Sequence, residues 1–418
     1  MGSNVCRMIN RIEGMAASNF PLRDFRTTEI EIKNFKVKTP YRGITSHELN
    51  GKKQIPSQIV MTSLIALRDQ GPYNKEKVYK FLHDGNFSQK AIREIGLNRR
   101  LFEHFPYTIL AIYPSLDPYS YKKEGPQGNM YNVKVNPGID HLSISDPEKE
   151  LFLQKIIQIG TKERYDAVIL PMVSKSADVN VLIWSKVIRT LGQQTKGKLG
   201  ISLIPSIDMN IDTGEFLKLL NFSISASKAF SWVEPVISFR YHKYETGNVS
   251  TNTATAKEAL RGENIATIIY GIKRNLDNGN SGIQDQTTTF GDILFLRRPM
   301  PPPRNRKVNT PSDLGFYNSR LAKIEKLNTG MSAADLLFLR HELSMMFGVD
   351  SDFVKQKIDE YIAEFKKGQV GNKLSAIISG ISRVHEAVRS SSEMVLLRNA
   401  ASEGGIDIYA ATKPWLFS

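Results

Sequence analysis

Four short apolar runs, evenly spaced through the middle of the chain, constrain the fold more than any other feature of this sequence. They begin near residues 166, 199, 235 and 265, about 30 to 36 residues apart, and each is bounded by Gly, Pro or Asp. Segments with helical periodicity lie between them. Because a crossover between parallel strands needs a helix's length of chain, this spacing predicts one βα unit per run and a parallel sheet covered on both faces.

The predicted fold class is therefore α/β. We expect a parallel sheet with covering helices, either a complete or an irregular (β/α) barrel, with an N-terminal helical segment and a C-terminal helical appendage. Further strands are predicted at 107–113 and 292–296. The helical periodicity outside the repeats predicts N-terminal helices over 59–68, 75–83 and 88–104, and C-terminal helices over 333–347, 351–367 and 374–401.

At 418 residues the chain exceeds the size at which one hydrophobic core usually stops growing, so more than one unit is expected. Composition shifts suggest five segments. They are a disordered leader at 1–18, an N-terminal strand and helices packed on the core at 19–106, a βα-repeat domain at 107–298, a basic Pro-rich linker at 299–317 and a C-terminal helical domain at 318–418.

One region between predicted strands has two interpretations. Residues 130–135 and 139–144 could pair as a hairpin across the turn Asn136-Pro137-Gly138, or 139–144 could be a barrel strand. The preceding loop, 118–128, is long and polar, which is typical of an active-site lid or of a plain surface loop.

The charge balance favours an anionic partner. Lys and Arg total 56 against 42 Asp and Glu, a net charge of +14. Such an excess attracts nucleic acid, an anionic membrane or a phosphorylated substrate. The competing interpretation is a solvated basic surface that binds nothing specific.

Composition also limits the site chemistry and the compartment. Cys6 is the only cysteine, which excludes an intramolecular disulfide and zinc sites built on two or more thiolates. We predict no metal site, and no motif indicates a cofactor. The chain contains no apolar run near the ~20 residues that span a bilayer and no secretory pattern, so the expected location is the cytoplasm.

Candidate catalytic residues follow predicted strands, because side chains just past the carboxyl ends of parallel strands line the active face of such folds. Asp208 follows the second run and is the strongest candidate for a nucleophile or general base. Asp212, before Thr213, is expected to be a helix cap. His242 and Asp117 are the other catalytic candidates, since each follows a predicted strand.

Candidate phosphate-binding residues are cations at strand ends and in the basic linker. Strand alternation places Arg240 and His242 on the same side of their strand. The linker cations lie on a proline-rich stretch that cannot form a helix. The predicted anion-binding set is Arg240, Lys273, Arg274, Arg297, Arg298, Arg304, Arg306 and Lys307.

The sequence carries no Walker A, GxSxG, HExxH, paired CxxC or GxGxxG signature. The first functional hypothesis is a barrel-type α/β enzyme acting on nucleic acid or another phosphate-bearing substrate. The second is a noncatalytic nucleic-acid-binding or assembly protein that uses its basic surface. The oligomeric state is not indicated by the sequence.

The layout of the chain resembles a known family. The entry Asn50-Gly-Lys-Lys-Gln-Ile-Pro56, a βα barrel and a basic tail are similar in order to barrels of the tRNA-guanine transglycosylase kind. The resemblance covers about two thirds of the chain and implies base exchange by aspartates, hence a base-modifying transferase. The cysteine-rich zinc site of that family cannot form here, and the resemblance assigns no individual residue.

Overall fold

The computed structural model describes residues 6–12, 27–46, 48, 65–116, 119–124, 130–136, 139, 144–195, 200–241, 247–272, 291–296, 313–321 and 323–402. The chain divides into two compact units. Unit 1 comprises Leu64–Ile269 with Met1–Ile9 and Ile30–Val37. Unit 2 comprises Tyr270–Ser418 with Asn10–Glu29 and Lys38–Ser63.

The strands of the described residues are β1 (Cys6–Ile12), β2 (Thr27–Ile32), β3 (Phe35–Lys38), β4 (Tyr41–Arg42), β5 (Ile44–Thr45), β6 (Ile65–Tyr73), β7 (Tyr107–Pro114), β8 (Tyr119–Glu124), β9 (Met130–Asn136), β10 (Ala167–Leu170), β11 (Ser202–Asp208), β12 (Val236–Arg240), β13 (Ala266–Ile272), β14 (Ile293–Leu296), β15 (Gly315–Asn318) and β16 (Lys323–Lys326). The helices of the same residues are α1 (Lys75–His83), α2 (Gly85–Leu101), α3 (Asp146–Lys162), α4 (Ala177–Thr195), α5 (Thr213–Ala229), α6 (Gly247–Ala259), α7 (Ala333–Phe347), α8 (Ser351–Lys366) and α9 (Asn372–Ser402). None of these helices is both long and apolar enough to cross a membrane.

The principal sheet confirms the predicted fold class. Nine strands are hydrogen-bonded in the order β4-β14-β13-β12-β11-β10-β7-β6-β5. The outermost strands in this order, β4 and β5, are neighbours along the chain, so the sheet is nearly closed into a barrel. Central pairs such as β10 with β11 and β11 with β12 are parallel, as the spacing of the apolar runs predicts.

The core of unit 1 follows from strands that are buried on both faces. Every residue of β7, β10, β11 and β12 is buried. The connecting helices supply large apolar side chains to that core, including Phe152 of α3, Trp184 of α4 and Phe216 of α5. Strands that are buried on both faces are mostly apolar on both faces, which explains why these runs show no alternation. The few polar residues they carry, such as Ser206 and Asp208, are buried as well.

The predicted helix over 59–68 is wrong where it overlaps β6. Residues 65–73 pair in parallel with β7, from Ile65 opposite Tyr107 onward. The register shifts between Gln70 and Tyr73. Gly71 lies in this irregularity with φ +127°, and a Cβ there would stand 2.5 Å from the carbonyl oxygen of Tyr113. Tertiary pairing with an apolar neighbouring strand therefore outweighs the local helical periodicity.

Two other regions differ from their sequence-based interpretation. Residues 6–12, expected to be part of a disordered leader, form β1 of a three-stranded sheet with β2 and β3. Residues 130–136 pair as a hairpin with β8, which occupies part of the predicted loop 118–128. Of the alternative partner segment 139–144, residues 140–143 lie outside the described residues. The polar composition of this loop gave no sign of the cross-strand pairing between β8 and β9.

Unit 2 contains the predicted C-terminal helices, preceded by an antiparallel pair, β15 and β16. Helices α7, α8 and α9 share a core that includes Leu343, Phe347, Ile358 and Ile381. Their observed bounds lie within two residues of the predicted ones. Neither strand was predicted: β15 lies mostly within the predicted linker 299–317, and β16 lies within the predicted helical domain that starts at residue 318.

Candidate active site

The carboxyl ends of successive parallel strands in unit 1 border a cavity of about 480 Å³. The residues that line it come from the segments after β7, β10 and β11 and from the start of α5. They are Leu116, Lys175, Ser176, Asp208, Asn210, Ile211, Asp212 and Glu215. This is the edge where α/β folds of this kind place their ligands.

Asp208 is the last residue of β11 and the best-positioned carboxylate in the cavity. It is 5% exposed and its backbone N–H lies 3.2 Å from the sulfur of Met172. The parallel register places it directly opposite Arg240, the last residue of β12, so the two side chains leave the sheet on the same side. Arg240 Nη1 lies 3.6 Å from Asp208 Oδ1, which makes an ion pair longer than a direct hydrogen bond.

Tyr113, near the end of β7, packs against the guanidinium group of Arg240. The guanidinium carbon of Arg240 lies 4.3 Å from the centre of the Tyr113 ring, a cation–π contact in a buried setting. Burial raises the pKa of Tyr113, while the charge of Arg240 and the hydroxyl groups of Ser206 and Ser238 act in the opposite direction. The Tyr113 hydroxyl is therefore neutral at physiological pH, and Arg240 is fixed between a ring and a carboxylate.

Asn180, on α4, holds the loop after β10 in place. It is fully buried, and its side-chain oxygen accepts from the backbone N–H of Val173 at 2.8 Å. Its amide nitrogen donates to the carbonyl oxygens of Ser174 at 2.6 Å and Ser176 at 2.7 Å. The indole of Trp184, one turn further along α4, donates to Pro171 at 3.2 Å. The segment that presents Lys175 and Ser176 to the cavity is thus anchored to a helix.

Asn252, on α6, does the same for the loop after β11. It is fully buried and donates to the carbonyl oxygens of Met209 and Ile211, each at 2.9 Å. Asp212 then caps α5, as predicted, by accepting from the backbone N–H of Gly214 at 2.8 Å and of Glu215 at 3.3 Å. Each of the two cavity loops is therefore held in position by a buried amide side chain.

The cavity lining is acidic among the residues that the structure describes. In that set Asp208, Asp212 and Glu215 stand against one cation, Lys175. Asp212 is engaged as a helix cap, and Glu215 accepts from the backbone N–H of Ala177. Since Arg240 is already paired with Asp208, this lining favours a ligand group that presents hydrogen-bond donors and disfavours a phosphate inside the cavity.

The structure brings together two of the predicted site residues, Asp208 and Arg240. The remaining candidates lie outside the described residues. These are Asp117, His242, Lys273, Arg274, Arg297, Arg298, Arg304, Arg306 and Lys307.

Sequence reasoning missed several residues of the site. Tyr113 ends a predicted strand, so the same strand-end rule that selected Asp208 would have found it. Lys175 and Glu215 carry no comparable signal, because their place in the cavity depends on how the loops fold. Asn180 and Asn252 lie within helices, where a buried amide cannot be distinguished from an exposed one by local pattern.

Unit 2 contains a separate buried polar cluster, centred on Glu342 of α7. Its carboxylate contacts His385 Nε2 at 3.3 Å and Arg389 Nε at 3.1 Å, both on α9, and accepts from the hydroxyl of Ser319. Burial alone would raise the pKa of Glu342, but the hydrogen bonds from His385 and Ser319, with the charges of His385 and Arg389, lower it. Burial lowers the pKa of His385, against the opposing effect of Glu342. The stable state is a carboxylate with a neutral imidazole and Arg389 as countercharge.

Acidification is expected to destabilise unit 2 through this cluster. Both folded pKa values lie below the ordinary values of 6.5 for His and 4.5 for Glu, so the unfolded chain takes up protons first as the pH falls. The contribution of Glu342 and His385 to the free energy of unfolding should be fully present above about pH 6.5. It should be lost as the pH falls through their two folded pKa values. Hydrogen exchange of α9 peptides between pH 8 and 4 measures this, with His385→Gln as the variant that should flatten the upper part of the profile. Constant or rising protection between pH 7 and 5 would contradict the assignment.

Within the part of the chain that the structure describes, no group of three or more His, Cys, Asp or Glu side chains is placed to hold a metal ion. Comparison with known protein families and with curated proteins finds no match to this chain.

Proposed function

We propose that this chain is a cytoplasmic, barrel-type α/β enzyme that acts on nucleic acid or another phosphate-bearing substrate, with the cavity around Asp208 as its reaction centre. One observation carries the proposal: a buried carboxylate ends a parallel strand at the rim of a cavity of about 480 Å³. Cavities of about 300–1,000 Å³ at this edge are the usual place for small-molecule groups in such folds.

The acidic lining supports entry of a nucleobase and not of a phosphate group. A base presents N–H groups, and the side-chain oxygens of Asp208, Asp212 and Asn210 can accept hydrogen bonds from them. The phosphates of the same substrate would remain outside the cavity, attracted by the net charge of +14 that the whole chain carries. This division of roles favours a base-modifying transferase.

In such a reaction Asp208 acts as nucleophile or general base. As nucleophile, a carboxylate oxygen bonds to the sugar carbon while the bond from that carbon to the departing base breaks, and the base leaves with its electron pair and takes up a proton. A nitrogen of the incoming base then attacks the same carbon, the bond from that carbon to the carboxylate oxygen breaks, and the incoming base gives up the proton of that nitrogen to solvent. Arg240 orients Asp208 throughout and is itself positioned by Tyr113.

The test is transfer of a labelled base. Radiolabelled guanine and adenine are incubated with the purified full chain and, in separate reactions, with unfractionated small RNA and with single-stranded and duplex DNA. Incorporation into polymer is expected for at least one pair, and Asp208→Asn should reduce its rate at least 100-fold, in line with the ~10²–10⁴-fold contribution of a positioned carboxylate. Asp178→Asn is the matched control, because Asp178 is 80% exposed on α4 and does not line the cavity; its rate should stay within about twofold.

The net charge of +14 also favours a second candidate, a noncatalytic nucleic-acid-binding or assembly protein. Three results together would support it: the chain binds the same RNA and DNA with an affinity that falls steeply with salt, Asp208→Asn binds equally well, and no base is incorporated. That result would exclude the transferase for the substrates tested.

A further inference from the structure

Two buried serine hydroxyls lie next to the Asp208–Arg240 pair, one step back along the same strands. Ser206 on β11 is directly opposite Ser238 on β12, two residues before the ion pair on each strand. Because alternate residues of a strand point to the same face, both serines project on the side of the sheet that carries Asp208 and Arg240. Ser206 is 1% exposed and Ser238 0% exposed, so bulk solvent reaches neither hydroxyl.

Neither hydroxyl is satisfied by the protein. Within the described ranges, the Oγ atoms of Ser206 and Ser238 have no hydrogen-bond partner. Ser223 on α5 shows the usual arrangement: it is just as buried, and its hydroxyl donates to the carbonyl oxygen of Leu219 at 2.8 Å. Since buried polar groups are almost always hydrogen-bonded to protein or to ordered water, two adjacent exceptions indicate a ligand between them.

The hydroxyl of Tyr113 on β7 completes the surroundings. Ser206 and Ser238 each lower the pKa of Tyr113, which places its hydroxyl near both. Neither serine bonds to it directly, however. Polar groups that act on one another from beyond hydrogen-bond distance are typical of a bridging water. Three hydroxyls, each able to donate or accept, also match the about three hydrogen bonds that a buried water makes.

The charges around this position favour a neutral ligand. Asp208 and Arg240, the charged groups that act on Tyr113, have opposite signs, and their Oδ1 and Nη1 atoms are 3.6 Å apart. A cation would be opposed by Arg240 and an anion by Asp208. Water meets both conditions, because it is neutral and can donate as well as accept.

We propose that Ser206, Ser238 and Tyr113 together bind one buried water molecule behind the Asp208 cavity. The water fixes the Tyr113 hydroxyl, and the ring of Tyr113 in turn packs 4.3 Å from the guanidinium carbon of Arg240. Arg240 is the partner of Asp208, so the two serines are positioning residues for that carboxylate and do not touch a substrate. Their effect on a reaction rests on the proposed function, whereas the binding of the water does not.

Magnetic relaxation dispersion of labelled water tests the binding site without reference to any activity, because it counts the water molecules that stay in a protein longer than the protein takes to tumble. We expect the double variant Ser206→Ala/Ser238→Ala of the full chain to hold one long-lived water fewer than the unchanged chain. Ser223→Ala is the matched control, since it removes an equally buried hydroxyl that the protein already satisfies, and its count should not change. An equal count in the double variant overturns the proposal.

A high-resolution crystal structure of the unchanged chain gives a second, independent measurement. It should show a density peak about 2.8 Å from both serine Oγ atoms and from the Tyr113 hydroxyl, the usual distance between two hydrogen-bonded oxygens. A direct hydrogen bond between Ser206 and Ser238, or from either to Tyr113, with no peak between them would refute the water.

The positioning role has its own readout in the base-transfer reaction. Tyr113→Phe keeps the ring beside Arg240 and removes the hydroxyl, so its kcat should fall about tenfold at an unchanged KM, as should that of the double serine variant. Because all three hydroxyls act through one water, combining the substitutions should lower kcat no further. Losses that multiply, or a raised KM with kcat unchanged, would contradict the positioning role. If the unchanged chain transfers no base, the proposed function fails, while the water count still decides the binding site.

Discussion

Glu342→Ala is expected to destabilise unit 2 by about 3–5 kcal/mol, the usual effect of removing one partner from a buried ionic cluster. The substitution leaves Arg389 without its carboxylate at 3.1 Å and His385 without its hydrogen-bond partner. It also removes the acceptor of the Ser319 hydroxyl. Hydrogen exchange of peptides from α9 reports the loss directly, since the helix carries two of the affected residues.

The matched control for Glu342 is Glu360→Ala. Glu360 pairs with Lys357 on the surface of α8, with a side chain that is 40% exposed. Exposed pairs of this kind contribute about 0–1 kcal/mol, so protection of α9 should hardly change. Equal effects of the two substitutions would show that the buried cluster has no special role in stability.

Asn180→Ala should cost about 3 kcal/mol or more in unit 1. The substitution removes a partner from two buried groups, the backbone N–H of Val173 and the carbonyl oxygen of Ser174. It also removes one from the part-buried carbonyl oxygen of Ser176, which still accepts from the backbone N–H of residue 180. Each buried polar group left unpaired costs about 1–3 kcal/mol, less what relaxation of the loop recovers. Urea denaturation followed by tryptophan fluorescence is a direct measurement, because Trp184 lies one turn away on the same helix and is fully buried.

Asn180→Ala should also affect the cavity, because Lys175 and Ser176 line it from this loop. Asn180→Asp tests the donors: it retains the oxygen that accepts from Val173 but turns a second carboxylate oxygen toward the carbonyl oxygens of Ser174 and Ser176. A loss of stability at least as large as in Asn180→Ala is expected, because the buried carboxylate faces two acceptors. Asn221→Ala, on an exposed asparagine of α5, is the control and should shift the midpoint little. A loss below about 1 kcal/mol in Asn180→Ala would mean that the loop does not depend on this amide.

The α/β fold could be predicted from the sequence because the apolar residues that indicate it recur regularly over a long stretch of the chain. The βα repeat from β10 to β13 and the helices α7 to α9 each depend on apolar residues recurring at a fixed interval. Strand β6 was missed because it contains charged residues, Arg68 and Asp69, near its middle. Both are buried in the folded protein, and the local sequence pattern does not indicate that burial. Residues 65–73 show that pairing between distant segments can override local periodicity.

The candidate site was predictable only at strand ends. Asp208 and Arg240 each end a strand, and the topology places neighbouring strand ends side by side. Lys175 and Glu215 reach the cavity through loop and helix geometry that no periodicity encodes. The two acids that make the described lining negative, Asp208 and Asp212, were therefore visible in the sequence, whereas Lys175 and Glu215, whose charges offset each other, were not.

The two buried amides that anchor the cavity loops have an entropic consequence. Loops ordered by their own ligand lose conformational freedom at the moment of binding, and the binding free energy is reduced by that amount. Here Asn180 and Asn252 hold both loops through hydrogen bonds within the protein, so this freedom is lost during folding. Affinity at the Asp208 cavity then depends on the contacts a ligand makes and on the water it displaces, and not on ordering the walls around it.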